Sequence, residues 1–176
     1  MTNEIMIAGF DGQGVMAIGK TLAEAGMKEG KDVSWLPSYG PEMRGGTSNC
    51  TVVISDEEIG SPSVSSPDVA VVMNKPSFEK FAPKVKAGGK LFVDGTLVDL
   101  TTDRTDIDVI TIPATGLAED NNLGGFANVI LMGKIIKETG LFGYDEFVNY
   151  LVGSIPPAKE ALIEKNKKAL DLGYNA

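Results

Sequence analysis

The 176-residue sequence has no histidine and one cysteine, Cys50. Without an imidazole, Ser–His nucleophile activation, histidine acid–base chemistry and histidine metal ligation are excluded. One thiol cannot close a disulfide within the chain, build a CxxC zinc knuckle or hold a four-thiolate iron–sulfur cluster. Apolar runs are short, none approaching the roughly 18 residues of a membrane span. The opening Met1-Thr2-Asn3-Glu4 carries neither a basic segment nor a small-residue cleavage pattern, so the cytoplasm is the expected address. Basic residues are outnumbered, 16 against 24 acidic, for a net charge of -8. That sign argues against nucleic acid as a partner, and the short apolar runs argue against a membrane.

What remains is a globular composition, 43 % hydrophobic and 23 % charged. A chain of this length buries roughly 70 % of its unfolded surface as one domain, and a single domain over 1–176 is expected. A self-sufficient redox enzyme lies outside this inventory. Glycine is in excess, 21 residues where average usage of roughly 7 % would give about a dozen.

Glu4–Ala8 is an apolar run that stops at Gly9, as a buried strand does. From Gly14 to about Glu29, Val15, Ile18, Leu22, Ala25 and Gly26 recur at helical spacing, and Gly30 stands where a helix C-terminus needs glycine. Asp32–Leu36 resumes as a strand. This order has the length of a βαβ unit with a right-handed crossover. Pro37–Gly46 reads as a loop without periodicity. Further strands are expected at Ser48–Ile54, Asp68–Met73, Leu91–Val93 and Val109–Ile112. Surface turns fall over Ser55–Pro67, and a helix opens at Pro76 and ends by Gly88-Gly89. Phe126–Thr139, Tyr144–Leu151 and Pro157–Gly173 read as helices. The expectation is an α/β, Rossmann-like fold: a mainly parallel sheet flanked by helices, with a helical C-terminal part.

Two motifs carry chemistry. Gly9-Phe-Asp-Gly12-Gln13-Gly14 joins the first strand to the first helix, where glycines let backbone approach a phosphate and the helix presents free N–H groups. The spacing is GxxGxG, neither the dinucleotide fingerprint nor a P-loop, and no ribose-binding acid follows the second strand. Anion binding and tight strand-to-helix packing are both open, and Asp11 favours the second. In the Pro37–Gly46 loop, Ser38, Tyr39, Gly40, Arg44, Gly45 and Gly46 combine a hydroxyl, a stacking face, a guanidinium and close backbone access. Contact with a ligand or partner subunit competes there with a purely structural loop.

Other features have simpler readings. Cys50 is expected as a small buried hydrophobe, and Glu57-Glu58 with Asp103, Asp106 and Asp108 as solvated surface. Asn121–Gly125 reads as a turn and helix cap, and Lys165, Lys167 and Lys168 as complements to the last helix dipole. Asp94-Gly95 is only a fragment of the Gly-Asp-Gly thiamine-diphosphate motif. No catalytic or metal-ligating residue is assigned.

Gly12-Gln-Gly-Val15, Leu22-Ala-Glu-Ala-Gly26 and Trp35-Leu-Pro-Ser-Tyr-Gly-Pro-Glu-Met-Arg-Gly-Gly-Thr-Ser-Asn-Cys50 resemble the γ subunit of 2-oxoacid:ferredoxin oxidoreductases. Val52–Asp56, Ile59–Pro62, Ile112–Thr115, Ala127-Asn128 and Leu131–Gly133 extend the resemblance over nearly the whole chain. Asp11 departs from the family's Gly-Gly-Gln-Gly. The resemblance implies a complex that converts a 2-oxoacid and coenzyme A to acyl-coenzyme A and carbon dioxide, passing two electrons to ferredoxin. It implies α and β subunits holding thiamine diphosphate and magnesium, with 4Fe-4S clusters on β or on a δ subunit. It also implies contact with coenzyme A through Gly12, Gln13, Gly14, Ser38, Tyr39, Gly40, Arg44, Gly45, Gly46 and Asn128. The long loop looks most like the 2-oxoglutarate or 2-oxoisovalerate branches, with pyruvate open. A purely structural docking subunit and a stand-alone nucleotide-binding module are the alternatives. A homodimer is a further option for the isolated chain.

Overall fold

The structure, a computed structural model, describes residues 1–38 and 47–176. The chain divides into two compact units, Met1–Thr111 and Ile112–Ala176.

The first unit is built on a sheet whose strands are β1 (Thr2–Phe10), β2 (Asp32–Ser38), β3 (Thr47–Ser55), β4 (Val69–Val72), β5 (Lys90–Asp94) and β6 (Asp108–Ile112). The order is β2-β3-β1-β4-β5-β6. β1, β4 and β5 pair in parallel, and β3 runs antiparallel to both its neighbours. β2 therefore points the same way as β1. The expected βαβ unit is corrected in one respect: β3 is inserted between its two strands. A second correction concerns Pro37 and Ser38, read as loop, which continue β2 in register with Cys50 and Asn49. At the sheet edge proline costs no ladder hydrogen bond if its nitrogen faces outward, which is why it ends no strand here.

Helix α1 (Val15–Lys28) packs on β2 and β3 through two glycines. A Cβ on Gly26 would come within 3.1 Å of Val33 and 3.2 Å of Ile54. Gly30, at φ +79°, ends the helix as expected, its N–H bonded to the Met27 carbonyl. Paired strand residues share a face, so Ile5, Ile7, Val52 and Ile54 join Cys50 on the α1 side. The opposite face carries Met6, Ala8, Ala70 and Val72, which cluster with Phe78, Phe81 and Val85.

Phe78 and Phe81 belong to α2 (Lys75–Phe81), followed by a 3₁₀ turn at Ala82–Lys84. The helix opens one residue before Pro76 because Asn74 caps it, its Oδ1 accepting from Ser77 N–H at 2.8 Å. Arg104 locks the exit. Its guanidinium donates to the Ala82 and Val85 carbonyls at 3.1 and 2.6 Å and grips Asp106 at 2.9 and 2.6 Å.

The second unit is helical: α3 (Ala114–Asp120), α4 (Ala127–Thr139), α5 (Tyr144–Gly153) and α6 (Ile163–Asn175). α3 was not legible, being seven residues with an internal glycine and no side-chain cap. Asn121–Gly125 forms a turn, but the α4 cap position is Phe126, with no capping side chain. The expected Pro157–Gly173 helix is a 3₁₀ turn over Pro157–Leu162 and then α6. Lys165, Lys167 and Lys168 consequently lie in the first two turns of α6, away from the negative end of its dipole. α4 and α6 meet where Gly133 faces Leu170 and Gly173 faces the Ile130 carbonyl, leaving no room for a Cβ on either.

Candidate functional site

β1 and β4 are neighbouring parallel strands whose chains leave in opposite directions, α1 covering one face and α2 the other. Ligands of open α/β sheets bind outside the carboxyl ends of strands at such a switch point. The turn Gly9–Gly14 and residues Met73-Asn74 occupy that end.

The turn is held by one side chain. Gln13 Oε1 accepts from Phe10 N–H at 2.6 Å, and Gln13 Nε2 donates to the Met73 carbonyl at 3.1 Å. The Gln13 amide thus ties the end of β1 to the end of β4. Gly9 permits this, since a Cβ there would come 2.6 Å from Gln13 Oε1 and 3.0 Å from Met73 and Val15. Gly12, at φ +92°, is different: its Cβ position meets nothing within 4 Å. Gly14, at φ +80°, is the N-cap of α1, and neither a capping side chain nor a first-turn acid is present there. The first N–H groups of a 14-residue helix therefore keep their positive potential beside an exposed glycine. An uncapped helix N-terminus favours negative charge, while the exposed Asp11 carboxylate in the same turn opposes it.

Ser38 ends β2 opposite Asn49 and, with Asn49, Thr51 and Ser63, lines a groove of about 430 Å³. Asn128 lies in the first turn of α4, in the second unit, its Oδ1 accepting from Val129 N–H at 3.0 Å. Tyr39, Gly40, Arg44, Gly45 and Gly46 lie outside the described residues. Asn49, Thr51 and Asn74 were missed as candidates. For the first two the signal was two polar residues flanking Cys50, ahead of the apolar run Val52–Ile54 of the same strand.

Cys50 is fully buried, and burial pushes its thiol up to about 11. Asp94 is also buried, at the end of β5, its Oδ1 accepting from Thr96 N–H. Among the described residues no cluster of His, Cys, Asp or Glu could hold a metal, and no helix is long and apolar enough to cross a membrane.

Residues 4–176 match the family model described as pyruvate ferredoxin/flavodoxin oxidoreductase. The chain belongs to this family. It is 41 % identical over 170 residues to ketoisovalerate oxidoreductase subunit VorA of Methanothermobacter marburgensis, covering 96 % of this chain but 35 % of that relative. The chain thus spans about a third of the length of that curated relative. It is 35 % identical to 2-oxoglutarate synthase subunit KorC of Methanocaldococcus jannaschii, covering 99 % of this chain and 93 % of the relative. The γ subunit of a keto/oxoacid ferredoxin oxidoreductase from Geobacter sulfurreducens superposes with a TM-score of 0.88 at 27 % identity, over 99 % of this chain and 95 % of that one. The fold is also shared, at TM-score 0.87 and 21 % identity, by a 2-oxoglutarate:ferredoxin oxidoreductase from Magnetococcus marinus solved with 2-oxoglutarate, coenzyme A and succinyl-CoA. That match covers 99 % of this chain and 30 % of that one. The resemblance read in the sequence and the α/β class both stand.

Proposed function

We propose that the chain is the γ-type component, acting as one domain over 1–176, of a thiamine-diphosphate-dependent 2-oxoacid:ferredoxin oxidoreductase. The complex oxidatively decarboxylates a 2-oxoacid with coenzyme A, yielding acyl-coenzyme A, carbon dioxide and reduced ferredoxin. 2-Oxoglutarate or 2-oxoisovalerate is the favoured substrate, with pyruvate third. Thiamine diphosphate, magnesium and 4Fe-4S clusters reside in the α and β subunits, or in a δ subunit, because one buried thiol and no histidine cannot hold a cluster.

This chain's share is to receive coenzyme A and to support assembly. The observation that carries it is the uncapped N-terminus of α1 beside the open backbone of Gly12, at the switch point of the sheet. Gly12 and Gly14 would present N–H groups to an anionic part of the ligand, and Gln13 would fix their geometry. Arg44 would add a charge-assisted contact, with Ser38, Tyr39, Gly40, Gly45, Gly46 and Asn128 as further contacts.

The test is Arg44→Ala in the assembled enzyme. Loss of one charge-assisted hydrogen bond is worth about 1.5–3 kcal/mol, so KM for coenzyme A should rise roughly tenfold or more while KM for the 2-oxoacid holds. An unchanged coenzyme A dependence would sink the ligand role. A second reading, docking alone, is favoured by the engagement of the Gln13 amide within the scaffold; it requires that the variant fail to assemble.

A further inference from the structure

Asp11 is held at the corner of the turn that joins β1 to α1. The Phe10 carbonyl accepts from Gln13 N–H at 3.2 Å, which closes a β-turn with Asp11 and Gly12 at its centre. Gly12 takes φ +92° at the third position, where a type II turn requires a positive φ. A second bond, from Phe10 N–H to Gln13 Oε1 at 2.6 Å, spans the same four residues. Gln13 is in turn tied to the Met73 carbonyl at 3.1 Å. The Asp11 carboxylate therefore rides on a backbone that is fixed on both sides of it.

Asp11 is exposed to solvent, and so is Gly12 beside it. Three residues of chain span at most about 11 Å, so Asp11 lies within roughly one Debye length of Gly14 at 0.1 M salt. A group received by the N–H groups of Gly12 and Gly14 meets two opposed fields. The α1 N-terminus contributes roughly half a positive charge, and the Asp11 carboxylate a full negative one. An acceptor of low charge keeps its hydrogen bonds and most of the attraction, whereas each further negative charge is repelled. Lys75, which follows Asn74 across the switch point, is already matched by Asp99 at 2.9 Å.

We propose that Asp11 is a specificity-determining residue: it makes this turn take a neutral or singly charged acceptor group and reject dense anions such as polyphosphates. The proposal rests on the reading of Gly12–Gly14 as a ligand-receiving turn and narrows that reading by charge. Asp11 acts through its field, as a selectivity filter, and needs no direct contact with the ligand.

The experiment titrates the full 176-residue chain and its Asp11→Asn variant with acetate, inorganic phosphate, pyrophosphate and tripolyphosphate at low ionic strength. Backbone amides of Gly12, Gln13 and Gly14 are followed by NMR. Asparagine keeps the shape and suits a turn, so Tm should hold. The affinity gained in Asp11→Asn should rise along the series, roughly threefold for each added ligand charge at about 6 Å in water. Added salt should shrink that gain, and Asp11→Glu, which keeps the charge, should bind like the parent. Equal affinities in the parent and Asp11→Asn, with shifts at the turn, would overturn the role of Asp11 and leave the ligand-receiving turn standing. A gain that does not grow with ligand charge, or that Asp11→Glu reproduces, would overturn it as well. No shift at Gly12–Gly14 with any anion in either protein would remove the reading of the turn together with the proposal.

Discussion

Gly19, in the middle of α1, lies so close to Cys50 on β3 that a Cβ there would stand 2.5 Å from the thiol sulfur and 2.9 Å from Trp35 Nε1. Helix and sheet are in contact through a hydrogen where any other residue has a carbon. Gly19→Ala should gain up to about 1 kcal/mol of helix propensity and lose about 1–3 kcal/mol to overpacking. The net effect is destabilising. Urea unfolding should show it, and Cys50→Ala in the Gly19→Ala background should recover part of the loss through a non-additive coupling.

The same packing controls Cys50 chemistry. Burial holds the thiol protonated up to about pH 11, and the thiolate is the nucleophile. Folded protein at pH 8 should resist iodoacetamide, with labelling appearing only on unfolding. Because the folded pKa is raised, this group's contribution is full below the unfolded pKa, roughly 8.5, and is lost as pH rises toward 11. Cys50→Val should flatten that alkaline decline.

Gln13 separates scaffold from ligand effects. Gln13→Glu keeps the shape and the acceptor for Phe10 N–H but turns an oxygen toward the Met73 carbonyl in place of the Nε2 donor. A loss of about 1–2 kcal/mol is expected at neutral pH, as for a missing partner at a part-buried carbonyl. Thermal unfolding at pH 7 and pH 4 checks it, because protonation restores a donor and should recover much of the difference.

Asp56 is paired with Lys31 and with the Met1 amine, and hydrogen bonding by Lys31 lowers its carboxyl to about 2. A depressed folded pKa contributes stability that is present above the unfolded value near 4 and lost as pH falls toward 2. NMR titration of the Asp56 carboxyl should return its pKa toward 3.8 in Lys31→Met. The group is solvent-exposed, so added salt should shrink the difference.

In the second unit Gly173→Ala should cost more than Gly19→Ala. The obstacle is the Ile130 backbone of α4, which no rotamer change can move, whereas the Cys50 and Trp35 side chains have some freedom. Gly153→Ala, at the end of α5 with nothing within 4 Å, is the control and should be neutral or slightly stabilising. Comparison of denaturant midpoints checks the pair.

Much of the architecture was readable because its signals are local. The run Ile5–Ala8, the spacing of Val15, Ile18 and Leu22, and Gly30 after the helix each report on their own neighbours. Where a helix is short and poorly capped, as at Ala114–Asp120, that local signal fails. It fails too where proline sits at a sheet edge, as Pro37 does, since the rule against strand proline assumes a partner on both sides.

The sequence by itself determined the inventory and the family: no imidazole, one thiol, a glycine-rich turn before a helix, and a long run of residues shared with γ subunits. Those are properties of composition and order. Only the tertiary structure decided that β3 enters between β1 and β2, that the Gln13 amide is spent joining β1 to β4, and that the Thr51 hydroxyl is buried without a hydrogen-bond partner among the described residues. Each depends on which distant segments become neighbours. Hydrogen-bond satisfaction and burial are properties of those neighbours, not of the residue alone.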